Sequence, residues 1–155
     1  MSVTNEHFKD QTTLPTRVLQ FGEGNFLRAF VDAIIHEMNQ KAGFNSSVIV
    51  VQPIENGMVD LLNSQNGKYN LYLRGIKNGK PESNCRLIQS IHSGINPYQD
   101  FNAFLKTAEI PEMRFIISNT TEAGICLTDQ DDPKDCPPKS FPAKLTVWLY
   151  RRFQT

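Results

Sequence analysis

Arg17-Val-Leu-Gln-Phe-Gly-Glu-Gly-Asn-Phe-Leu-Arg-Ala29 is the stretch from which the fold follows. Its first five residues carry no charge after Arg17 and stop at Gly22, the pattern of a buried strand. Beyond Gly24, the apolar residues Leu27, Phe30, Val31, Ile34, Ile35 and Met38 recur at helical spacing, which predicts a helix with that side turned inward. Arg28 with Asp32, and Glu37 with Lys41, are expected as i,i+4 pairs on its exposed side. Gly43 supplies a left-handed stop. Ser47-Val-Ile-Val-Val51 is β-branched and apolar on both faces, so it reads as a strand covered above and below, and Pro53 closes it. A strand, a helix and a second buried strand make a βαβ unit, for which a right-handed crossover and parallel pairing are the rule. The fold class is therefore α/β.

Working outward, a short helix is predicted over 58–62. The alternating stretch 69–77, the Asn78-Gly79 type I′ turn and a return strand over 86–91 read as a small antiparallel insertion. Asn96 serves as an N-cap with Pro97 at the first helical position, and Phe101, Phe104, Leu105 and Ala108 follow on one helical side. Residues 113–118 read as another buried strand, ending in Asn119-Thr120-Thr121-Glu122. After a loop rich in aspartate and proline over 129–138, a last helix begins near Ser140 with Leu145, Trp148, Leu149 and Phe153 inward. The expectation is one Rossmann-like domain over 1–155, a mostly parallel sheet with helices on both faces. A helix with so large an apolar side is normally followed by a further strand, so the chain is expected to be the first part of a longer protein.

Composition excludes several function classes. Lysine plus arginine and aspartate plus glutamate number 16 each, which leaves no long-range field to draw in nucleic acid or an anionic membrane. No apolar run approaches the roughly 20 residues that cross a bilayer, and the polar start lacks a basic and then apolar leader. Cys85, Cys126 and Cys136 are odd in number and widely spaced, which fits a reducing, cytoplasmic setting better than a disulfide framework. Asp129, Asp131, Asp132 and Asp135 lack calcium-loop spacing. His7, His36 and His92 have no partner at metal-ligand spacing and are expected at the surface or at strand ends, so no metal site is expected. Arg151 and Arg152 suit the negative pole of the last helix.

The chemistry sits at the first turn. Gly22 allows a tight reversal after the strand, and Gly24 lets main chain approach a pyrophosphate at the helix amino terminus; Leu27 stands where a third glycine is usual. A two-glycine turn is also found in loops that bind nothing, and the flanking strand and helix are what favour the nucleotide. The acidic residue that normally closes the second strand is replaced by Gln52, with Glu55 three residues on, and no basic residue directly follows to clamp a 2′-phosphate. NAD is expected over NADP. Asn119 and Thr120, at a strand's carboxyl end, lie where α/β sheets bind ligands, although a strand end capped by its own hydrogen bonds would look the same.

In order and in register, Gln20-Phe-Gly-Glu-Gly-Asn-Phe-Leu-Arg-Ala-Phe30, Val50-Val-Gln-Pro-Ile54 and Ser118-Asn-Thr-Thr-Glu-Ala-Gly-Ile125 resemble the mannitol dehydrogenase family of polyol-specific long-chain dehydrogenases. The general family shows Gly-x-Gly-x-Phe-His-Arg-Ala-His at the first turn; here Leu27 and Phe30 hold the two histidine positions, as in its uronate reductases. The resemblance implies NAD as cofactor and a small sugar acid as substrate, in the interconversion of D-altronate and D-tagaturonate during galacturonate breakdown. Fructuronate reduction and mannitol oxidation are the alternatives within the family. It places Val18, Leu19, Gln20, Phe21, Gly22, Glu23, Gly24, Asn25, Phe26, Leu27, Arg28 and Ala29 around the adenosine and pyrophosphate, Gln52 near the adenosine ribose, and Asn119 and Thr120 toward the nicotinamide. The family's catalytic pattern, Lys-x5-Asn-x2-His, belongs to a carboxyl-terminal domain and does not occur in this sequence. No catalytic residue is therefore expected here, and this polypeptide alone is expected to show no turnover. A non-catalytic nucleotide-binding module on the same fold is the reading from a different class.

Overall fold

The computed structural model describes residues 13–132 and 134–154; His7 lies outside them. Strand β1 is Thr16–Phe21 and β2 is Ser47–Val51, paired in parallel with Leu19 opposite Ile49 and Phe21 opposite Val51. All five residues of β2 are buried, as its unbroken β-branched run requires. Between them runs α1, an α-helical start at Asn25–Leu27, a π-helical turn at Arg28–Asp32 and an α-helical body at Ala33–Lys41. Gly43 follows with φ of +60°, the left-handed exit expected. Helix α2 (Val59–Ser64) leads to a two-stranded ribbon, β3 (Tyr69–Lys77) and β4 (Lys80–Ile88), turned by Asn78 and Gly79, both at positive φ as a type I′ turn demands. Then come β5 (Ile91–Ile95), α3 (Phe101–Lys106) with a 3-10 turn at Thr107–Glu109, β6 (Phe115–Ser118), the short α4 (Glu122–Ile125) and α5 (Phe141–Gln154).

The main sheet runs β5-β2-β1-β6, all parallel. Alternation along the strands divides the core into two. Leu19, Phe21, Ile49 and Val51 face α3 and α5 through Phe104, Leu105, Phe141 and Trp148. Val18, Val48 and Val50 face α1 and α2 through Ile35, Val59 and Leu62. Helices thus cover both faces. Chain reversal occurs between β1 and β6, the switch point of a doubly wound sheet.

Several expectations are corrected. The π-helical turn adds a residue to the first part of α1, so the inward side runs Leu27, Asp32, Ile35 and His36, while Phe30 (55% exposed) and Ile34 turn to solvent. Arg28 and Asp32 therefore form no exposed pair: Asp32 is buried beside Gln20 and Arg28 turns back to the Glu23 carbonyl. The return strand of the insertion is β4, and Ile91 starts a separate strand of the main sheet, because Ser90 breaks the ribbon and its carbonyl binds the Val48 amide. Helix α3 is capped by Asp100, whose Oδ1 accepts from the Ala103 amide; Asn96 instead closes a local turn through the Tyr98 amide. β6 is an edge strand with Phe115 and Ile116 about half exposed. In α5 the inward side is Phe141, Lys144 and Trp148, leaving Leu149 and Phe153 outward. His36 is interior, its Nδ1 accepting from the Gln89 amide. Glu37 and Lys41 do pair, and Arg152 donates to the carbonyls of Ala108, Ile110 and Met113, tying α5 to the turn before β6. The three cysteines are free and exposed.

Candidate functional site

The carboxyl end of β1 enters its turn with Gly22 at φ of +114°, a conformation that side chains with a Cβ rarely adopt. The Gly22 amide donates to the Val51 carbonyl at 2.9 Å, and the Asn119 amide donates to the Phe21 carbonyl at 3.2 Å, so the turn is pinned to both neighbouring strands. A Cβ on Gly22 would sit 3.5 Å from the Asn119 carbonyl oxygen. Gly24 differs. Its φ is −66°, and a Cβ there would meet nothing within 4 Å, so open space lies in front of the main chain where α1 begins. The first amides of a helix have no carbonyl of their own to meet and carry the positive end of its dipole, which suits an anion approaching Gly24, Asn25 and Phe26, all exposed.

Arg28 holds this turn from behind. Its Nε donates to the Glu23 carbonyl at 2.9 Å and its guanidinium to Asn25 Oδ1 at 2.6 Å, while it lies over the Tyr69 ring. Glu23 packs with Gln52 where loop 53–58 passes: a Cβ on Gly57 would collide with both side chains. Gln52 is itself buried, its Nε2 donating to the Ile54 and Glu55 carbonyls and its Oε1 accepting from the Val59 amide. Its amide shapes the loop after β2 from within, and the side chains presented to solvent there are Glu55 and Asn56. On the other flank, a Cβ on Gly124 would collide with Thr120 and approach Pro53 to 3.0 Å, so α4 folds across the carboxyl ends of the strands.

The sequence-derived candidates thus separate. Val18, Leu19, Gln20, Phe21, Glu23, Leu27 and Gln52 have buried side chains that build the turn and its supports. Gly24, Asn25, Phe26, Ala29 and Asn119 are exposed, with Arg28 and Thr120 between the two groups. Phe21 and Thr120 also meet in an open groove of about 410 Å³ beside β6, lined with Ile116, Ser118, Gly124 and Ile125, which does not include Gly22 or Gly24.

Sequence reasoning missed a polar cluster beneath the turn. Gln20 Nε2 donates to the Gly22 carbonyl at 3.1 Å and to Asp32 Oδ2 at 3.3 Å. Burial pushes the Asp32 carboxyl up to about 7, with the Gln20 hydrogen bond and the Arg28 charge pulling the other way. Tyr69 donates to the Arg28 carbonyl at 2.6 Å and Ser90 to the Asp32 carbonyl at 2.8 Å. The available signal was Gln20 itself, a polar side chain inside an apolar strand, which needs a buried partner. Among the described residues there is no group of three or more potential metal ligands, and no helix is long and apolar enough to cross a membrane.

A parallel sheet ordered in this way, with a glycine turn between the first strand and helix at the switch point, defines a nucleotide-binding α/β domain of the Rossmann class. The chain matches the model of the mannitol dehydrogenase Rossmann domain over residues 16–155, and it belongs to that family. It is 51% identical over 155 residues to an altronate oxidoreductase of Bacteroides thetaiotaomicron, and 46% identical to one of Bacillus subtilis. These alignments cover 100% and 99% of the chain, which spans 32% of either relative's length. Among solved structures it resembles the Pseudomonas fluorescens mannitol 2-dehydrogenase ternary complex with NAD and D-mannitol, with TM-score 0.72, 20% identity, and 93% of this chain and 32% of that one covered. D-sorbitol dehydrogenase in substrate-free form gives TM-score 0.68 at 18% identity, covering 91% of this chain and 32% of that one. These two likenesses are of fold.

Proposed function

We propose that the chain is the dinucleotide-binding domain of an NAD-dependent oxidoreductase that interconverts D-altronate and D-tagaturonate. The observation that carries this reading is the Gly22–Gly24 turn at the switch point, with its first glycine at positive φ and its second facing open space. The residues fit a dinucleotide: main chain over 22–26 meets the diphosphate, the loop after β2 meets the adenosine ribose, and Asn119 and Thr120 lie on the side left for the nicotinamide. Because the Gln52 amide is bonded within its own loop, the group offered to the ribose is the exposed Glu55, whose charge accepts from a 2′-hydroxyl and repels a 2′-phosphate. That favours NAD over NADP.

When bound, the nicotinamide supplies the hydride chemistry, and this domain's part is to hold it in position. On this reading the proton-transfer group and the sugar-acid pocket belong to a further part of the protein, in keeping with this chain's spanning 32% of its relatives' length. The sugar-acid reading rests on the altronate oxidoreductases at about half identity. Calorimetric titration with NAD and NADP tests the cofactor, and equal affinity for both would overturn the role of Glu55. Full-length protein assayed with tagaturonate, fructuronate and fructose as oxidants tests the substrate: preference for tagaturonate is expected, and preference for fructuronate or fructose refutes it. A protein that binds NAD and reduces none of the three would be a nucleotide-binding module instead.

A further inference from the structure

Two oxygens beneath the glycine turn, Asp32 Oδ1 and Gln20 Oε1, are fully buried and accept no hydrogen bond. They belong to the same pair of side chains, joined on the other side by Gln20 Nε2 donating to Asp32 Oδ2. Where the N–H that meets Asp32 is the one cis to Gln20 Oε1, and the other meets the Gly22 carbonyl, the amide and the carboxyl close a planar pair whose two remaining oxygens face each other. Two buried acceptors side by side repel each other unless a proton lies between them. We propose that Asp32 is a neutral carboxylic acid whose hydroxyl donates to Gln20 Oε1, and that this two-bond pair is a positioning device for the glycine turn and its diphosphate. The second half of that statement rests on the dinucleotide reading above; the first half does not.

The link to the turn is direct. The same Gln20 Nε2 that meets Asp32 also holds the Gly22 carbonyl, so the rotation of one amide is set from below by the acid and fixes the turn above. Asp32 faces β1 because the π-helical turn brings it there. The groups around it are Arg28 and, one turn on, His36 from its own helix, Tyr69 from β3, Gln20 from β1 and the Ser90 hydroxyl ahead of β5. Arg28 is the one permanent cation in this set and favours the ionised form, yet burial outweighs it. Ionisation would remove the hydroxyl donor and place a negative charge under a site built for an anion. Both effects weaken diphosphate binding.

The sign follows from linkage. A carboxyl held above its unfolded value contributes stability that is complete below the unfolded value and is lost as pH rises through the folded one. Thermal unfolding of the cofactor-free protein and of Asp32→Asn, from about pH 4.5 to about pH 8.5, tests the proton. The substituted amide donates where the acid's hydroxyl did, so the wild type should lose on the order of 5 °C relative to the variant between about pH 4.5 and pH 7.5, then run level with it. An infrared band of a protonated carboxyl at about pH 6, present in the wild type and absent in the variant, is the second readout. Parallel melting curves and no such band overturn the assignment. For the positioning role, NAD affinity measured by calorimetry should fall about threefold or more from pH 6 to pH 8.5 in the wild type and stay flat in Asp32→Asn. If both bind NAD with superimposed pH profiles, the positioning role is wrong. If neither binds NAD while the melting and infrared results hold, the dinucleotide reading fails and the neutral acid stands.

Discussion

Gly22 and Gly24 sit two residues apart and do different things, so substitutions at the two sites separate folding from binding. At Gly22, φ of +114° strains any other residue, and the added Cβ would lie 3.4 Å from Leu27 Cδ1. Gly22→Ala should therefore cost about 1–3 kcal/mol, read as a lower urea midpoint. At Gly24 the backbone is ordinary and the space beyond it open, so Gly24→Val should leave stability within about 0.5 kcal/mol. Dinucleotide affinity should nevertheless drop at least about tenfold, because the side chain stands where the diphosphate approaches. Equal NAD affinity in Gly24→Val and wild type would remove the turn from the site. The need for glycine at Gly22 was legible in the sequence because a positive φ leaves few other choices, whereas nothing in the backbone at Gly24 demands one. The sequence could not show that the Gln52 amide is bonded within its own loop, because the residue type declares donors and acceptors without saying who meets them, and here the loop after β2 takes both donors and a bond to the oxygen.

At the scale of elements, α1 shows where sequence periodicity stops being informative. Leu27, Phe30, Val31, Ile34, Ile35 and Met38 fit an unbroken helix, and the extra residue at Arg28–Asp32 is invisible in that pattern, since apolar residues flank both possible inner sides. β1 and β2 were legible, being short apolar runs between glycine and proline; the start of β5 was not, because apolar residues run on across Ser90. The π-helical turn makes a testable contrast. Ile35→Ala should cost about 2–4 kcal/mol and Phe30→Ser less than about 0.5 kcal/mol in denaturant unfolding. An unbroken helix would make both costly. The same rotation buries His36, and burial lowers its imidazole below the usual histidine range, against the pull of Glu37. Neutral histidine is what its Nδ1 needs to accept from the Gln89 amide. A base depressed in the folded state contributes stability that is present above the unfolded value, about 6.5, and is lost as pH falls through the folded one. His36→Gln should therefore flatten the acid side of the stability profile in pH-dependent denaturant titrations; an unchanged slope below about pH 6.5 would rule this out.

For the whole molecule, the decisive fact is that this chain spans 32% of the length of its Bacteroides thetaiotaomicron relative while carrying the four parallel strands and their helices through α5. The glycine turn, its supports and the loop after β2 are all contained in the described residues, so cofactor binding should not depend on what lies elsewhere in the longer relatives. Catalysis should depend on it, because a hydride transfer to a carbonyl needs a proton donor held against the substrate, and the ionisable side chains of this turn, Glu23, Arg28 and Asp32, are buried or bonded to its main chain. The expected result is a split between two measurements on the 155-residue polypeptide. NAD at about a hundred times its dissociation constant should stabilise it by about 2.7 kcal/mol, a rise in melting temperature on the order of 5–10 °C, with NADP giving less. Under the same conditions NADH should not be oxidised by tagaturonate, whereas a polypeptide of the relatives' full length should oxidise it. Turnover by the 155-residue polypeptide would put a working acid within this domain, and the surface at Asn25 and Asn119 would be where to look, since both are exposed and the Asn119 amide is bonded to the Phe21 carbonyl at the start of the turn.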